Sequence, residues 1–443
     1  MKRKRLQKMI ALAVCTAVIT TMGGFSVAAE EVYEVAADEE TVTDVPAEPE
    51  TEDIFQEVGE DEEQLLQQIQ EENEEADVLF GDGTVIEEFS SGEATTDLQY
   101  GSLSKVYLDS AGGSDTNSGE ASDQAVKTID QALSLIEENG TIYLISSLTL
   151  NDKKDHRWSK VTIRPANTLA DDESKPMIQI LKGTGLALDE VNISNIKESG
   201  GSWLGKTLLE KTGEGVLTIG TGTTLVCDAK VKHAIYTNKE SGANGTYATL
   251  RINGGSIQGA DRTNYDEQTA LVTVWYGTAE MSGGQISGNK ARHGGGIYGE
   301  NGSTVTLSGG RIADNQAGDG GGVYLWGSDL KMDRTEPDGQ PCVIEKNTAT
   351  ADTLNDVYGQ GGGVYLGDGR ALLGKGTIQG NKAEPQIKYD EDGEVIGSTG
   401  GMGGGVHAFN GSIELTAARI CNNQTFTGGG IFTQSTEVID AMH

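Results

Sequence analysis

Acidic side chains outnumber basic ones 68 to 33 across 443 residues, a formal charge of −35 that argues against nucleic acid as a partner, because phosphate binding needs a basic stripe. Beyond the leader the only cysteines are Cys227, Cys342 and Cys421, an odd, scattered set that excludes a disulfide framework. Cys342 and Cys421 read as small fillers of a core.

In chain order, residues 1–29 read as a secretory signal. Lys2, Arg3, Lys4, Arg5 and Lys8 form a basic head, Met9 to Met22 is an apolar run too short to span a bilayer, and Val27-Ala28-Ala29 supplies small residues for cleavage. A lipoprotein site at Cys15 is disfavoured by Val14, which stands where a small residue is wanted. The mature protein is therefore expected outside the cell or on its surface. Residues 30–104 hold 26 acidic residues and no lysine or arginine. Low hydrophobicity with charge of one sign predicts a disordered, solvated spacer, with a marginal helix around Leu65, Leu66 and Ile69; a cation-binding tail is the alternative.

Residues 105–150 read as an N-terminal cap. Val106 to Leu108 is a short strand, and Val126, Ile129, Leu133 and Ile136 fall on one face of a helix with Ser122 or Asp123 as N-cap and Asn139-Gly140 at its end. Such a helix covers the open end of a stack of strands. In the loop before it, Asp115, Asn117 and Glu120 space oxygen ligands like the start of a calcium loop without its full pattern. An Asx-rich turn accounts for them equally, and no cofactor is otherwise implied.

Residues 151–443 carry a repeat. GGG-[IV] runs begin at Gly294, Gly320, Gly361, Gly403 and Gly428, at steps of 26, 41, 42 and 25 residues. An apolar residue stands five before a key isoleucine, as in Leu307 before Ile312, and asparagine falls three after it at Asn289, Asn315, Asn347, Asn381 and Asn423. Self-similarity of this kind marks a solenoid of about 25-residue coils, each with three short strands and tight turns. The asparagines read as an internal ladder at turns that tolerate left-handed backbone. The chain stops soon after the last glycine run, so further coils are expected downstream of His443.

Alternation after each glycine run places Thr273, Tyr298, Tyr324, Tyr365, His407 and Phe432 in one outward row and Trp275, Trp326 and Phe409 in a second. These rings are either a platform for sugars or a partner protein, or a stack that protects the sheet. Two insertions leave the same corner of adjacent coils, after Asn347 and Asn381. They are expected to bring Asp352, Asp356, Lys382, Lys388, Tyr389, Asp390, Glu391, Asp392 and Glu394 beside the row.

The GGG-[IV]-[YF] and I-x-x-N phrases, with the opening VYLDSAGGSDTNSGEASDQAVKTIDQAL, resemble right-handed parallel β-helix proteins of the pectate-lyase-like superfamily and the short repeats of bacterial surface adhesins. The resemblance, over about Lys105 to His443, implies an all-β, right-handed parallel β-helix of three-stranded coils with an N-terminal capping helix. It implies an adhesin or glycan-interacting surface scaffold, with carbohydrate or a host or neighbour-cell surface protein as partner. The alternative is a polysaccharide lyase or glycoside hydrolase, but the family's Asn-Thr-Asp, Gly-His-Gly and Arg-Ile-Lys signatures are absent. Catalysis, if present, is expected in the irregular coils around Asp155, His156, Asp171, Asp172 and Glu173. A monomer is expected, without a membrane span in the mature chain.

Overall fold

The computed structural model describes residues 100–435 apart from 229, 242–244, 260–269, 334–339 and 353–355. The leader and nearly all of the acidic segment, with its candidate helix at Leu65, lie outside the described residues. The described chain is a right-handed parallel β-helix. Three all-parallel sheets, of 11, 10 and 9 strands, run the length of the stack. Sheet 1, the largest, holds the key isoleucines, sheet 2 the strands that follow the glycine runs, and sheet 3 the strands that precede the isoleucines.

Register turns the repeat into columns. In sheet 1, Ile163, Ile193, Leu225, Ile257, Ile286, Ile312, Ile344, Ile378 and Ile420 are successive partners. In sheet 2 the column reads Leu209, Ile235, Val272, Ile297, Val323, Val364, Val406 and Ile431. From Ile163 to Ile378 and from Leu209 to Val406 these side chains are almost wholly buried, each worth about 1.5–3 kcal/mol of transfer free energy. β-Branched residues suit such positions because their restricted rotamers pack well on a pleated surface.

The glycine runs make the corner possible. Gly294, Gly320, Gly361, Gly403 and Gly428 all have φ between 63 and 70°, a left-handed turn that costs glycine nothing. A Cβ on the second glycine would strike the next coil: at Gly321 it would lie 2.4 Å from the carbonyl oxygen of Gly362. Backbone therefore stacks directly on backbone there.

Beside the three expected strands, the regular coils carry a fourth, short one. Lys290–His293, Gln316–Asp319, Thr348–Asp352, Lys382–Glu384 and Gln424–Thr425 form a fourth parallel sheet between the asparagine and the glycine run. The buried column Ala291, Ala317, Ala349 and Ala383 lets these strands lie close to the bore.

The asparagines lie between sheets 1 and 4. Asn347 Nδ2 donates to Asn381 Oδ1 and to Ile312 O, both at 3.0 Å, and its backbone N–H donates to Asn381 Oδ1 at 3.0 Å. The same bonds link Asn315 to Asn347 and Asn381 to Asn423. The left-handed residue is the one before each asparagine, namely Gly288, Asp314, Lys346, Gly380 and Asn422, not the asparagine itself. The amide is thereby freed to point inward.

The N-terminal end differs from expectation. The helix is only Ile129–Leu135, capped by Thr128, whose side chain accepts from Gln131 N at 3.2 Å. Ser122–Gln124 is a single 3-10 turn, and Ile136 opens a strand, Ile136–Leu144, that runs through Asn139 and Gly140. The backbone edge of the first strand, Leu103–Leu108, is covered by the loop, with Tyr107 N donating to Gly119 O at 2.8 Å and Val126 N to Tyr107 O at 3.0 Å. The helix contributes buried Ile129 and Ala132. Cys342 fills the core, but Cys421 is half-exposed beside Gln379, one residue out of the inward column.

Candidate functional site

Sheet 2 aligns Tyr236, Thr273, Tyr298, Tyr324, Tyr365, His407 and Phe432 as successive partners on its outer side. The rings stack. Tyr298 and Tyr324 lie 5.3 Å apart at 4°, Tyr324 and Tyr365 4.6 Å apart at 4°, and His407 meets Tyr365 edge-on at 5.3 Å. Tyr298 is 2%, Tyr365 6% and His407 0% exposed, so most ring surface here is spent on neighbours. In the second row Trp326 and Phe409 stand 6.3 Å apart with glycine, Gly367, between them in register. Trp275 stacks on Tyr298 at 6.3 Å.

Where sheet 4 begins, the row opens into a cleft of ≈ 690 Å³. Four neighbouring coils line it: Glu173 and Ser174; Lys206; Lys232, His233 and Tyr236; Thr273 and Trp275. Arg292 and His293, from the first strand of sheet 4, close one side. Lys206 Nζ lies 4.1 Å from the centre of the Tyr236 ring and 2.8 Å from Glu210 Oε2. His233 Nδ1 sits 3.1 Å from Ala270 O and 2.9 Å from Thr273 Oγ1. Burial pushes the Tyr236 hydroxyl far above the usual tyrosine range.

Arg292 and His293 are half-buried on the cleft wall. Arg292 Nε is buried without a hydrogen-bond partner. His293 is pushed down to about 4 by burial and then by Arg292, so its ring is neutral at pH 7. The ring centre lies 4.7 Å from that of Tyr324, and Nδ1 is 3.7 Å from Asp319 Oδ2, too long for a hydrogen bond. Burial pushes Asp319 up to about 6, against the bonds its carboxylate accepts from Gln360 N at 2.9 Å and Tyr358 N at 3.1 Å.

The charged insertions lie apart from this cleft. Asp352 ends a sheet 4 strand and pairs with Val357, just past Asp356; Lys382 opens the next sheet 4 strand and bonds Glu384. Lys388 and Tyr389 belong to an antiparallel hairpin, Gln386–Tyr389 with Val395–Thr399, whose turn holds Asp390, Glu391, Asp392 and Glu394. The carboxylate of Asp390 is occupied in that turn, accepting from Asp392 N at 3.0 Å and Glu394 N at 2.8 Å.

The irregular-coil acids also separate. Asp171 accepts from Leu204 N and Lys197 Nζ, and Asp172 from Ser174. Asp155 and His156 face a second, smaller cleft of ≈ 390 Å³ beside the helix, and only Glu173 reaches the large one. Asp115 accepts from Lys127 N, Thr128 N and Thr128 Oγ1, and Asn117 Nδ2 donates to Ala125 O, so both steady the approach to the helix. Among the described residues no group of three or more His, Cys, Asp or Glu is placed to hold a metal ion. None of their helices is long and apolar enough to cross a membrane.

Lys206, Lys232, His233, Tyr236 and Arg292 did not stand out in the sequence. The signal that could have found two of them is the outward column itself, extended one coil upstream from Thr273 to Tyr236 and then inspected for neighbouring cations. Comparison with family models, with curated proteins and with solved structures returns no match to this chain.

Proposed function

We propose that this chain is an exported bacterial surface β-helix, akin to the pectate-lyase-like superfamily, that binds carbohydrate in the cleft at the start of sheet 4. One observation carries the reading: Trp275 and Tyr236 present half-buried aromatic faces within the same ≈ 690 Å³ as Arg292, Lys206 and Lys232. Aromatic faces stack on the C–H faces of sugar rings, and guanidinium and ammonium groups recognise carboxylate or sulfate substituents. Those cations gather in a protein of formal charge −35, which favours acidic over neutral glycans. The stacked tyrosines downstream serve as a rigid floor.

The test is calorimetric titration of acidic and neutral oligosaccharides. Trp275→Ala and Arg292→Ala should each weaken binding of an acidic oligosaccharide about tenfold or more while leaving thermal unfolding unchanged. Equal affinity in both variants sinks the reading. A second reading, a lyase or hydrolase, is favoured by His293, a neutral imidazole on the cleft wall beside an acid whose proton affinity is raised. New reducing ends or unsaturated products on prolonged incubation, lost in His293→Ala, would establish it over simple binding.

A further inference from the structure

Five of the eight large apolar side chains that stand exposed among the described residues gather at one place: Tyr358, Ile387, Tyr389, Val395 and Ile396. Four belong to the projecting hairpin, where Tyr389 and Val395 are cross-strand partners. Tyr358 lies at its base, its carbonyl accepting from Gly401 N at 2.9 Å. Since Asp390 holds the turn, Glu391, Asp392 and Glu394 remain as an exposed acidic tip. Among the described residues the hairpin is a two-stranded sheet, with no third strand paired to it. An apolar, acidic, edge-bearing projection is a ready template for strand pairing.

The complementary surface lies at the N-terminal edge of sheet 3. Strand Asp155–Ser159 is the terminal strand of sheet 3, paired only with Gly185–Asp189 among the described residues. It is bordered by exposed Lys153, Lys154 and Arg157, interleaved with exposed Asp152 and Asp155; Arg157 is taken up by Asp189, whereas Lys153 and Lys154 face no ion-pair partner among the described residues. The ≈ 390 Å³ cleft between it and the helix includes apolar Leu133 and Trp158. Seven strand steps in sheet 3 separate this edge from Arg370–Leu373, the strand of the coil that carries the hairpin, or about 34 Å at ~4.8 Å per step. One molecule cannot bring its own hairpin to its own edge.

We propose that the hairpin of one copy docks on the Asp155–Ser159 edge of a second copy, adding backbone to sheet 3 with its acidic tip against Lys153 and Lys154. The two surfaces differ and lie seven strand steps apart along the stack, so the contact is heterologous and propagates as a filament instead of closing as a dimer. The monomer expected from the sequence becomes the dissociated state. Salt weakens the assembly, because its charge pairs are at the rim.

Sedimentation and light scattering of the full chain over a concentration series test this. The wild type should form a ladder of oligomers. Triple reversal of the tip (Glu391→Lys, Asp392→Lys, Glu394→Lys) and double reversal of the edge (Lys153→Glu, Lys154→Glu) should each raise the apparent dissociation constant about tenfold or more. An equimolar mixture of the two variants should regain assembly, since the reversed tip now fits the reversed edge. A wild type that stays monomeric overturns the proposal, as does association unchanged by either variant or a mixture that fails to assemble. Circular dichroism of each variant guards against unfolding.

Discussion

Coils on either side of residue 285 solve the same packing problem differently. Downstream, two devices repeat: a glycine corner whose second residue has no room for a side chain, and an asparagine that bonds to its own image one coil on. Upstream, each coil is individual. Trp158 and Trp203 are among the largest fully buried side chains, and Trp203 Nε1 donates to Ala170 O at 2.8 Å. Lys211, 0% exposed, donates to the carbonyl oxygens of Glu214 at 2.7 Å, Gly213 at 2.9 Å, Thr212 at 3.2 Å and Leu181 at 3.3 Å. Repetition gives a ladder in which every rung resembles the next. Individuality leaves room for a cleft, and the cleft lies where sheet 4 starts.

The contrast is broken most sharply at the glycine corner. Gly321→Ala places a Cβ against backbone that cannot move aside, and should cost on the order of 4 kcal/mol in chemical denaturation. A loss below about 1 kcal/mol would mean the corner has slack that its contacts deny. Next comes Asn347→Ala, which removes two donated bonds and takes away the oxygen that accepts from both the backbone N–H and Nδ2 of Asn315 in a buried site. The expected loss is about 3 kcal/mol, larger than for a terminal rung such as half-exposed Asn423. Upstream, Lys211→Met keeps the stem and deletes the ammonium. Two of its four carbonyls, Leu181 O and Glu214 O, keep backbone partners, so the loss should be about 2 kcal/mol and confined to amides of the upstream coils in hydrogen exchange. Protection lost equally downstream would contradict a division into separate packing regimes.

Legibility followed the same division. The outward row was readable because a glycine run phases each strand, and a period of two does the rest. The regular ladder was readable because asparagine holds one offset from isoleucine. Upstream, Asn195 stands two after Ile193, and the next rung is an acid: Asn195 Nδ2 donates to Asp228 Oδ1 at 2.5 Å and Asp228 N to Asn195 Oδ1 at 3.0 Å. No fixed offset shows that pair. The helix was misjudged because apolar periodicity reports burial, not conformation. Val126 is buried by bridging Leu108 and Ile136 by opening a strand, so two of its four marker residues owe their burial to sheet 1. The cleft was invisible because its residues share no spacing, coming from separate coils that meet only when stacked.

The smallest expected effect isolates one member of the outward row. His407 is wholly buried between Tyr365 and Phe432, with neither ring nitrogen hydrogen-bonded. Burial pushes it down to about 4 from an ordinary 6.5, so the neutral ring belongs to the folded state. As pH falls through 6.5 the unfolded chain takes up a proton that the folded chain refuses until about 4. Stability is therefore full above 6.5 and declines down to about 4, with a limiting slope of about 1.4 kcal/mol per pH unit from this group. His293 adds a loss of the same sign, while Asp319, raised to about 6, regains stability as it is protonated below that pH. Because the two oppose each other, the test must remove His407 alone. His407→Phe keeps an aromatic ring in the stack and should recover about 1 kcal/mol at pH 5.5 relative to its own effect at pH 8, read from urea midpoints at the two pH values. An equal change at both would mean that the ring is protonated in place, and that the outward row is wetter than its packing indicates.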